Sequence, residues 1–349
     1  MTRYPKRDAG ININLILFFG GNARHLFNFT KTNTTQMIHS LSMVWNSPEG
    51  FHLGPIMLRY YSLGFVIAFA LGWYIMKKIF EREGESMEKL DKLFIYTLIA
   101  TLLGARLGQV FFYDWPYFRE HPEEILLPFK FRPEFEFTGF AGLASHGAAI
   151  AIILFMIYYS RKVIHRPLLW VLDRVVIPVT SGGIFVRLGN FFNSEILGDV
   201  TSPDTPTAVK FIRGEDDYNK AKIVAKTGIE NYDKAYEAVE HDPKFANILA
   251  DIPYRHPAQL YEAFLYIFVF LIIFFMYWKT DARKKHGLIF GVFLVLLWTV
   301  RFVVEFVKES QGGFEGKNPL LSTGQWLSIP FILVGFYLIF TAKNRQETL

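Results

Sequence analysis

The chain has no cysteine among its 349 residues, which excludes disulfides and any cysteine nucleophile of its own. The usual Cys/His spacings of a zinc site are absent as well, and no metal or cofactor is expected. No basic stripe with interleaved aromatics accompanies the net charge of +5, so nucleic acid is not expected as a partner. No internal repeat is evident, which argues against a duplicated transporter architecture. The apolar stretch Ile11–Gly21 lacks a small-residue cleavage site and does not read as a signal peptide. Long charged stretches are also missing where they would matter most, inside seven apolar runs at 57–76, 93–113, 139–159, 168–193, 258–278, 287–307 and 326–342.

Runs of about twenty apolar residues rising 1.5 Å each are long enough to cross a hydrocarbon core. The chain therefore reads as an all-α polytopic membrane protein with seven transmembrane helices. The charges lie mostly in short loops: Lys77, Lys78, Arg82, Lys89 and Lys92; Arg161, Lys162 and Arg166; Lys279, Arg283, Lys284 and Lys285; and Lys343 with Arg345. If the spans alternate, all these loops share one side, which the positive-inside rule makes cytoplasmic. The N-terminus is then outside and the C-terminus inside. Residues 1–56 are expected to form an external, partly disordered N-terminal extension. Residues 1–36 are basic, then apolar, then rich in Asn and Thr. They read as a peripheral extension, or as an upstream reading of the start with Met37 the natural beginning. Residues 57–198 hold spans one to four, 199–254 form an external (periplasmic) head insertion, and 255–349 hold spans five to seven and a cytoplasmic tail. Within the head, Asp216–Ala250 has the composition of one or two amphipathic helices. The outer connection 114–138, with Trp115 and four prolines, is expected to lie at the interface.

Against this apolar background one string stands out: Val186-Arg187-Leu188-Gly189-Asn190-Phe191-Phe192-Asn193-Ser194-Glu195-Ile196-Leu197-Gly198. Hydrocarbon solvates such groups poorly, so they must face protein or a wet cavity, and a buried guanidinium is suited to a two-pronged grip on phosphate. With alternating spans, Tyr61, Arg106, His146, Arg187, Asn190, Gln259, Glu262, Arg301 and Glu305 all fall within roughly 10–12 Å of the outer boundary. Arg187, Asn190 and Asn193 recur every three residues on one helix face, Gln259 and Glu262 do the same, and Arg301 and Glu305 have the spacing of an intrahelical pair. An outward-opening cavity of arginines, amides and one histidine suits an anionic headgroup. Blander roles stand beside this reading. Arg106 can snorkel to headgroups, Arg301 with Glu305 can be a purely structural ion pair, and His146 can be a packing element. Tyr61 can belong to an aromatic belt, and Gly189 and Gly198 can simply allow close approach or end a helix.

These residues carry a resemblance. The string at 187–198 is similar to the Gly-Arg-x-Gly-Asn-Phe-x-Asn-x-Glu-x-x-Gly signature of bacterial prolipoprotein diacylglyceryl transferases. So, in the same order, are Tyr60-Tyr61-Ser62-Leu63, Gly104-Ala105-Arg106-Leu107-Gly108, Arg255-His256-Pro257-Ala258-Gln259-Leu260-Tyr261-Glu262, Arg301-Phe302-Val303-Val304-Glu305-Phe306 and Gly324-Gln325-Trp326-Leu327-Ser328-Ile329-Pro330. The likeness spans about residues 50–345. Three positions depart from the family pattern: Val186 replaces its first glycine, His146-Gly147-Ala148 stands for His-Gly-Gly, and Leu297 stands where a tyrosine is expected.

The resemblance implies transfer of the diacylglyceryl group of phosphatidylglycerol to the lipobox cysteine of a preprolipoprotein signal peptide, at the bilayer of a bacterial cytoplasmic (inner) membrane. The thiol would be the substrate's. On that reading Arg187 and Arg301 clamp the phosphate, His146 takes the thiol proton, and Tyr61, Asn190 and Asn193 orient the headgroup. Glu305 fixes Arg301 and Glu195 holds a closing loop, with Gly198, Arg106, Gln259 and Glu262 completing the substrate site. A membrane transporter or flippase for an anionic lipid headgroup is the alternative, beside another lipid transferase or a structural scaffold.

Overall fold

The computed structural model describes residues 43–54, 56–126, 129–130, 135–137, 144–214, 218–310 and 320–345. The expectations for residues 1–36, including Met37 as a beginning, lie outside them. Among the described residues, seven helices are long and apolar enough to cross a membrane. They are α1 (Tyr60–Glu83), α2 (Met87–Phe112), α3 (Ser145–Tyr159), α4 (Leu168–Phe192), α5 (Ala258–Lys279), α6 (Leu288–Val304) and α7 (Thr323–Thr341). The protein is thus the all-α polytopic membrane protein that its hydropathy predicts.

Local chemistry sets the helix ends. Gly84, at φ 69°, closes α1 in the left-handed conformation that glycine adopts without a Cβ penalty. Ser86 caps α2 by accepting from the Lys89 amide, and Ser322 with Gln325 forms a reciprocal capping box on α7. The third span differs from its expected range. Its helix starts at Ser145 and runs on through a π-turn, Ser160–Ile164, toward the basic loop.

Lipid is as apolar as leucine, so helices associate here through close packing rather than water exclusion. Two distributions follow. Away from the Arg187 end, Met76, Ile79, Phe80, Leu90, Tyr159, Trp170, Ile177, Ile273, Tyr277 and Ile289 form a tight core. Beyond it the buried Asp173 accepts from the Gly287 and Phe290 amides, at 2.6 and 2.8 Å, and so caps the start of α6. Arg174 beside it stacks on Trp170 at 4.1 Å and reaches Glu83 at 3.0 Å. Elsewhere, α2 and α3 form an intimate pair: a Cβ on Gly147 would strike the Gly104 carbonyl and lie 2.6 Å from Gly108 Cα. This pair joins the rest mainly through its basic-loop half, at Leu90, Leu93, Met156 and Tyr159.

The head sits at the Arg187 end. A strand at Val209–Phe211 pairs in parallel with Met43–Trp45 and antiparallel with Tyr254–Arg255. Residues 43–54, grouped by sequence with the extension, are therefore part of the fold. Trp45 Nε1 donates to the Phe191 carbonyl at 3.1 Å, across 146 residues. Among the described residues the insertion carries three short helices, Lys220–Thr227, Tyr232–His241 and Ala246–Asp251, where the composition suggested one or two. The first two start at asparagine caps, Asn219 and Asn231. Ile212, Ile223, Tyr236 and Val239 make its small core. The outer connection after α2 holds a short helical turn at Trp115–Phe118, and parts of it fall outside the described residues.

Candidate functional site

The α4 helix carries the first part of the site. Arg187 and Asn190 lie three residues apart on its last turns, and Arg187 Nη1 donates to Asn190 Oδ1 at 3.4 Å. Asn190 Nδ2 in turn donates to Glu195 Oε1 at 2.6 Å. Gly189 allows Tyr61 of α1 to close over this face, since a Cβ there would sit 2.6 Å from the tyrosine ring. The Tyr61 hydroxyl faces Asn190. Gly189→Ala must therefore push an aromatic ring out of place, and overpacking of this kind costs about 1–3 kcal/mol. We expect a lower melting temperature in detergent and roughly tenfold slower turnover, an assay-visible effect of moving Tyr61; unchanged values for both would mean that the ring is free to shift.

After α4 the chain turns sharply. Ser194 and Ile196 have φ of 54° and 58°, a region that is costly for a β-branched residue. The surroundings hold them there. Gln259 Nε2 donates to the Glu195 carbonyl at 2.6 Å, the Gly198 amide donates to the His256 carbonyl at 3.0 Å, and the Asp199 amide donates to the Val307 carbonyl at 2.9 Å. Gly198 threads between two backbones, where any Cβ would meet the His256 and Val307 carbonyls. Expected in the substrate site, it serves here to let three segments touch. Asn193 and Gln259 each keep a buried side-chain oxygen without a partner among the described residues.

The two arginines meet through a carboxylate. Glu262 of α5, 2% exposed, sets Oε2 at 2.6 Å from Arg187 Nε and Oε1 at 3.7 Å from Arg301 Nη1. Arg301 comes from α6, lies 5.6 Å over the Trp298 ring, and is faced by the Tyr266 hydroxyl. A lone buried cation is costly, and one shared carboxylate makes two guanidiniums tolerable.

The expected Arg301–Glu305 pair is corrected here. The backbone keeps the helical spacing, since the Glu305 amide still donates to the Arg301 carbonyl before the chain tightens into a 3₁₀ turn at Glu305–Val307, but the carboxylate turns elsewhere. Glu305 instead lies 3.7 Å from Lys308 Nζ and against Gly324, whose Cβ would overlap its carboxylate.

Below the arginines opens a cavity of about 570 Å³, lined by Phe65 and Gly72 of α1, Leu93 and Thr97 of α2, Pro178, Gly182, Gly183 and Arg187 of α4, and Phe293, Leu297 and Arg301 of α6. Small and kink-forming residues of α4 make its floor, where bulky side chains would have filled it. The result is a greasy cleft with two guanidiniums at its head, the shape and polarity of a phospholipid.

Tyr61, Arg187, Asn190, Glu195, Gln259, Glu262 and Arg301 thus come together. Two expected members do not. Arg106 is turned to the outer connection, donating to the Glu124 and Ile125 carbonyls at 2.7 Å each and lying 4.8 Å from the Phe118 ring. His146 is exposed in the first turn of α3, outside the cavity lining, with no partner for its ring among the described residues. Tyr266, which lines the cleft, was not among the expected site residues; it stands four residues after Glu262 on the same helix face, a signal that was available.

Comparison with known proteins places the chain in a family. The family model described as prolipoprotein diacylglyceryl transferase matches residues 48–341. A phosphatidylglycerol–prolipoprotein diacylglyceryl transferase of Chloroherpeton thalassium is 37% identical over 301 residues, 86% of this chain and 94% of its own. The enzyme of the same name from Tolumonas auensis is 34% identical, over 87% of this chain and all of its own. That of Bacteroides fragilis is 36% identical, over 88% of this chain and 98% of its own.

Proposed function

Since the chain belongs to the prolipoprotein diacylglyceryl transferase family, we propose that its two-arginine cleft is where the reaction of that family takes place. The protein is a transferase that moves a diacylglyceryl group from phosphatidylglycerol to a prolipoprotein. One observation carries the assignment of the site. Arg187 and Arg301 share a single buried carboxylate at the head of an apolar cavity.

In this reading the phosphate of phosphatidylglycerol sits on the guanidiniums and the acyl chains enter the cavity. The acceptor is the lipobox cysteine of the signal peptide. Its thiol loses a proton, the sulfur bonds to the glycerol carbon, and the carbon–oxygen bond breaks with its electron pair going to the phosphate. The products are a thioether and glycerol phosphate. Arg187 and Arg301 stabilise the charge that builds on the leaving oxygen. Glu262 keeps both guanidiniums aimed, and Asn190 with Tyr61 shapes the headgroup side. Glu195, Gln259 and Gly198 hold the strained turn beside it. His146 takes the thiol proton, its ring exposed at the start of α3. Arg106 supports the outer connection.

The site end faces outward from the bacterial cytoplasmic membrane, with the N-terminus outside and the C-terminus cytoplasmic, because the arginine- and lysine-rich loops gather at the opposite end. The test is direct. Purified protein is incubated with labelled phosphatidylglycerol in vesicles and a lipobox peptide, and the peptide is weighed by mass spectrometry. A diacylglyceryl adduct on the cysteine is expected. Lipid moved between leaflets with the peptide unmodified would favour a flippase.

A further inference from the structure

We propose that the inner end of the cleft is an acyl-chain stop: Met76, Leu93, Met156 and Phe293 halt a tail of the bound phosphatidylglycerol, so that this enzyme selects its lipid substrate by chain length. The inference rests on the transferase reading above and adds to it which lipids of that class are preferred.

The cleft is open at one end and closed at the other. Toward the arginines its wall is accessible, with Phe65, Phe69 and Val179 36, 47 and 53% exposed. At the inner end Met76, Leu93, Met156 and Phe293 are 2, 4, 4 and 7% exposed, and all four belong to the tight core. They come from α1, α2, α3 and α6. The same place is the seam by which the α2–α3 pair joins the other spans. A chain that enters beside Arg187 and Arg301 therefore meets side chains of four helices at its tip.

Depth gives this closure its meaning. The lining runs from Arg187 to Val175 on α4 and from Arg301 to Phe293 on α6, roughly 18 and 12 Å at 1.5 Å per residue. One leaflet of the hydrocarbon core, half of about 30 Å, falls between these values. A tail of ordinary membrane length thus ends at the closure. Nothing polar is offered to it on the way: the Thr97 and Thr180 hydroxyls donate to the Leu93 and Val176 carbonyls of their own helices, at 2.6 and 2.7 Å.

Selection here comes from fit. Lipid tails are as apolar as leucine, so a methylene gains little by leaving the bilayer for the cleft. A longer tail must crowd the closed end or bow out through the open wall, and overpacking a core is worth about 5- to 100-fold in an equilibrium. A shorter tail leaves a void whose lining loses its contacts outright. Methionine is flexible and adapts to what it meets, so two methionines at the closure make the order of preference graded, without a sharp cut-off.

The experiment is a competition. Full-length protein in phosphatidylcholine vesicles receives the lipobox peptide and an equimolar series of phosphatidylglycerols, each with two equal saturated chains, from about 12 to about 20 carbons. Mass spectrometry separates the thioether adducts, and their proportions give relative kcat/KM. A damaged fold lowers all adducts together, so the proportions report on the cleft. Wild type is expected to peak at one length and to fall about tenfold at the ends of the series. Gly72 lines the cleft one turn from Met76, and a Cβ there would sit in ordinary contact with Pro178 Cβ at 3.5 Å. Gly72→Leu should therefore bring the stop closer and move the peak about two to four carbons shorter. Met156→Ala removes part of the stop and should move it about two carbons longer. Flat proportions in wild type would overturn the proposal, as would a peak that neither variant moves or that both move the same way. If either variant fails to fold, Gly72→Ala and Met156→Val carry the same two directions, and an unmoved peak in them would overturn it equally. Absence of every adduct in wild type would instead remove the transferase reading on which the proposal stands.

Discussion

Arg187→Lys is expected to lower diacylglyceryl transfer by about 10³-fold, although the charge is kept. The reason is geometric. Arg187 uses its Nε toward Glu262 and one terminal nitrogen toward Asn190, and the remaining guanidinium hydrogens can still address a phosphate in the same plane. A lysine ammonium is a point charge with three rotating donors. It cannot hold Glu262 and the amide of Asn190 while also gripping a phosphate, and whichever contact it keeps, another is lost. The loss should fall on kcat/KM for phosphatidylglycerol and be measured in the vesicle assay with a fluorescent lipobox peptide. The thermal midpoint should stay near wild type, since the charge still pairs with Glu262. Near-normal turnover would mean that the phosphate needs positive charge at this point and no planar fork.

How much of this was legible in advance depended on where each residue sits. The seven helices follow from apolar runs too long for anything else, so their number survives even where their ends move by several residues, as at Ser145. The grouping of Arg187, Asn190, Gln259, Glu262 and Arg301 follows from periodicity combined with alternating direction, both of which are properties of a regular helix. Illegible features belong to places where regularity stops. Glu305 keeps the helical spacing from Arg301, yet its carboxylate goes to Lys308 and Gly324 in the irregular chain beyond the span. Trp45 docks on Phe191 across 146 residues, a pairing that no local pattern announces. Arg106 and His146 share the expected depth, but α2 and α3 form a pair of their own, and depth alone does not say which way around a bundle a side chain points. The bridging role of Glu262 was similarly hidden, since spacing places it on one face with Gln259 and is silent about what stands opposite.

That separation makes His146 the sharpest remaining test, and His146→Asn is expected to slow transfer by about 10²–10⁴-fold if its ring takes the thiol proton. A free cysteine thiol, with an unperturbed pKa of about 8.5, is mostly protonated at neutral pH, and the thiolate is the nucleophile. Some group must therefore remove the proton where the peptide arrives, and an imidazole whose ring nitrogens have no partner among the described residues is equipped to do so. The backbone around His146 is held on both sides. The Ala144 amide donates to the Ala105 carbonyl at 2.9 Å just before it, and Gly147 just after it is pressed onto Gly104 and Gly108. The ring thus projects from a rigid helix start, outside the lipid cavity, where the thiol and not the phospholipid would meet it. Asparagine keeps the size and a hydrogen-bonding group but accepts no proton near neutral pH. A peptide supplied at high pH, already ionised, should therefore recover much of the deficit. A variant with the wild-type rate would make His146 part of the α2–α3 packing and send the proton to another acceptor, leaving the arginine clamp untouched, because His146 stands outside the cleft that the arginines line.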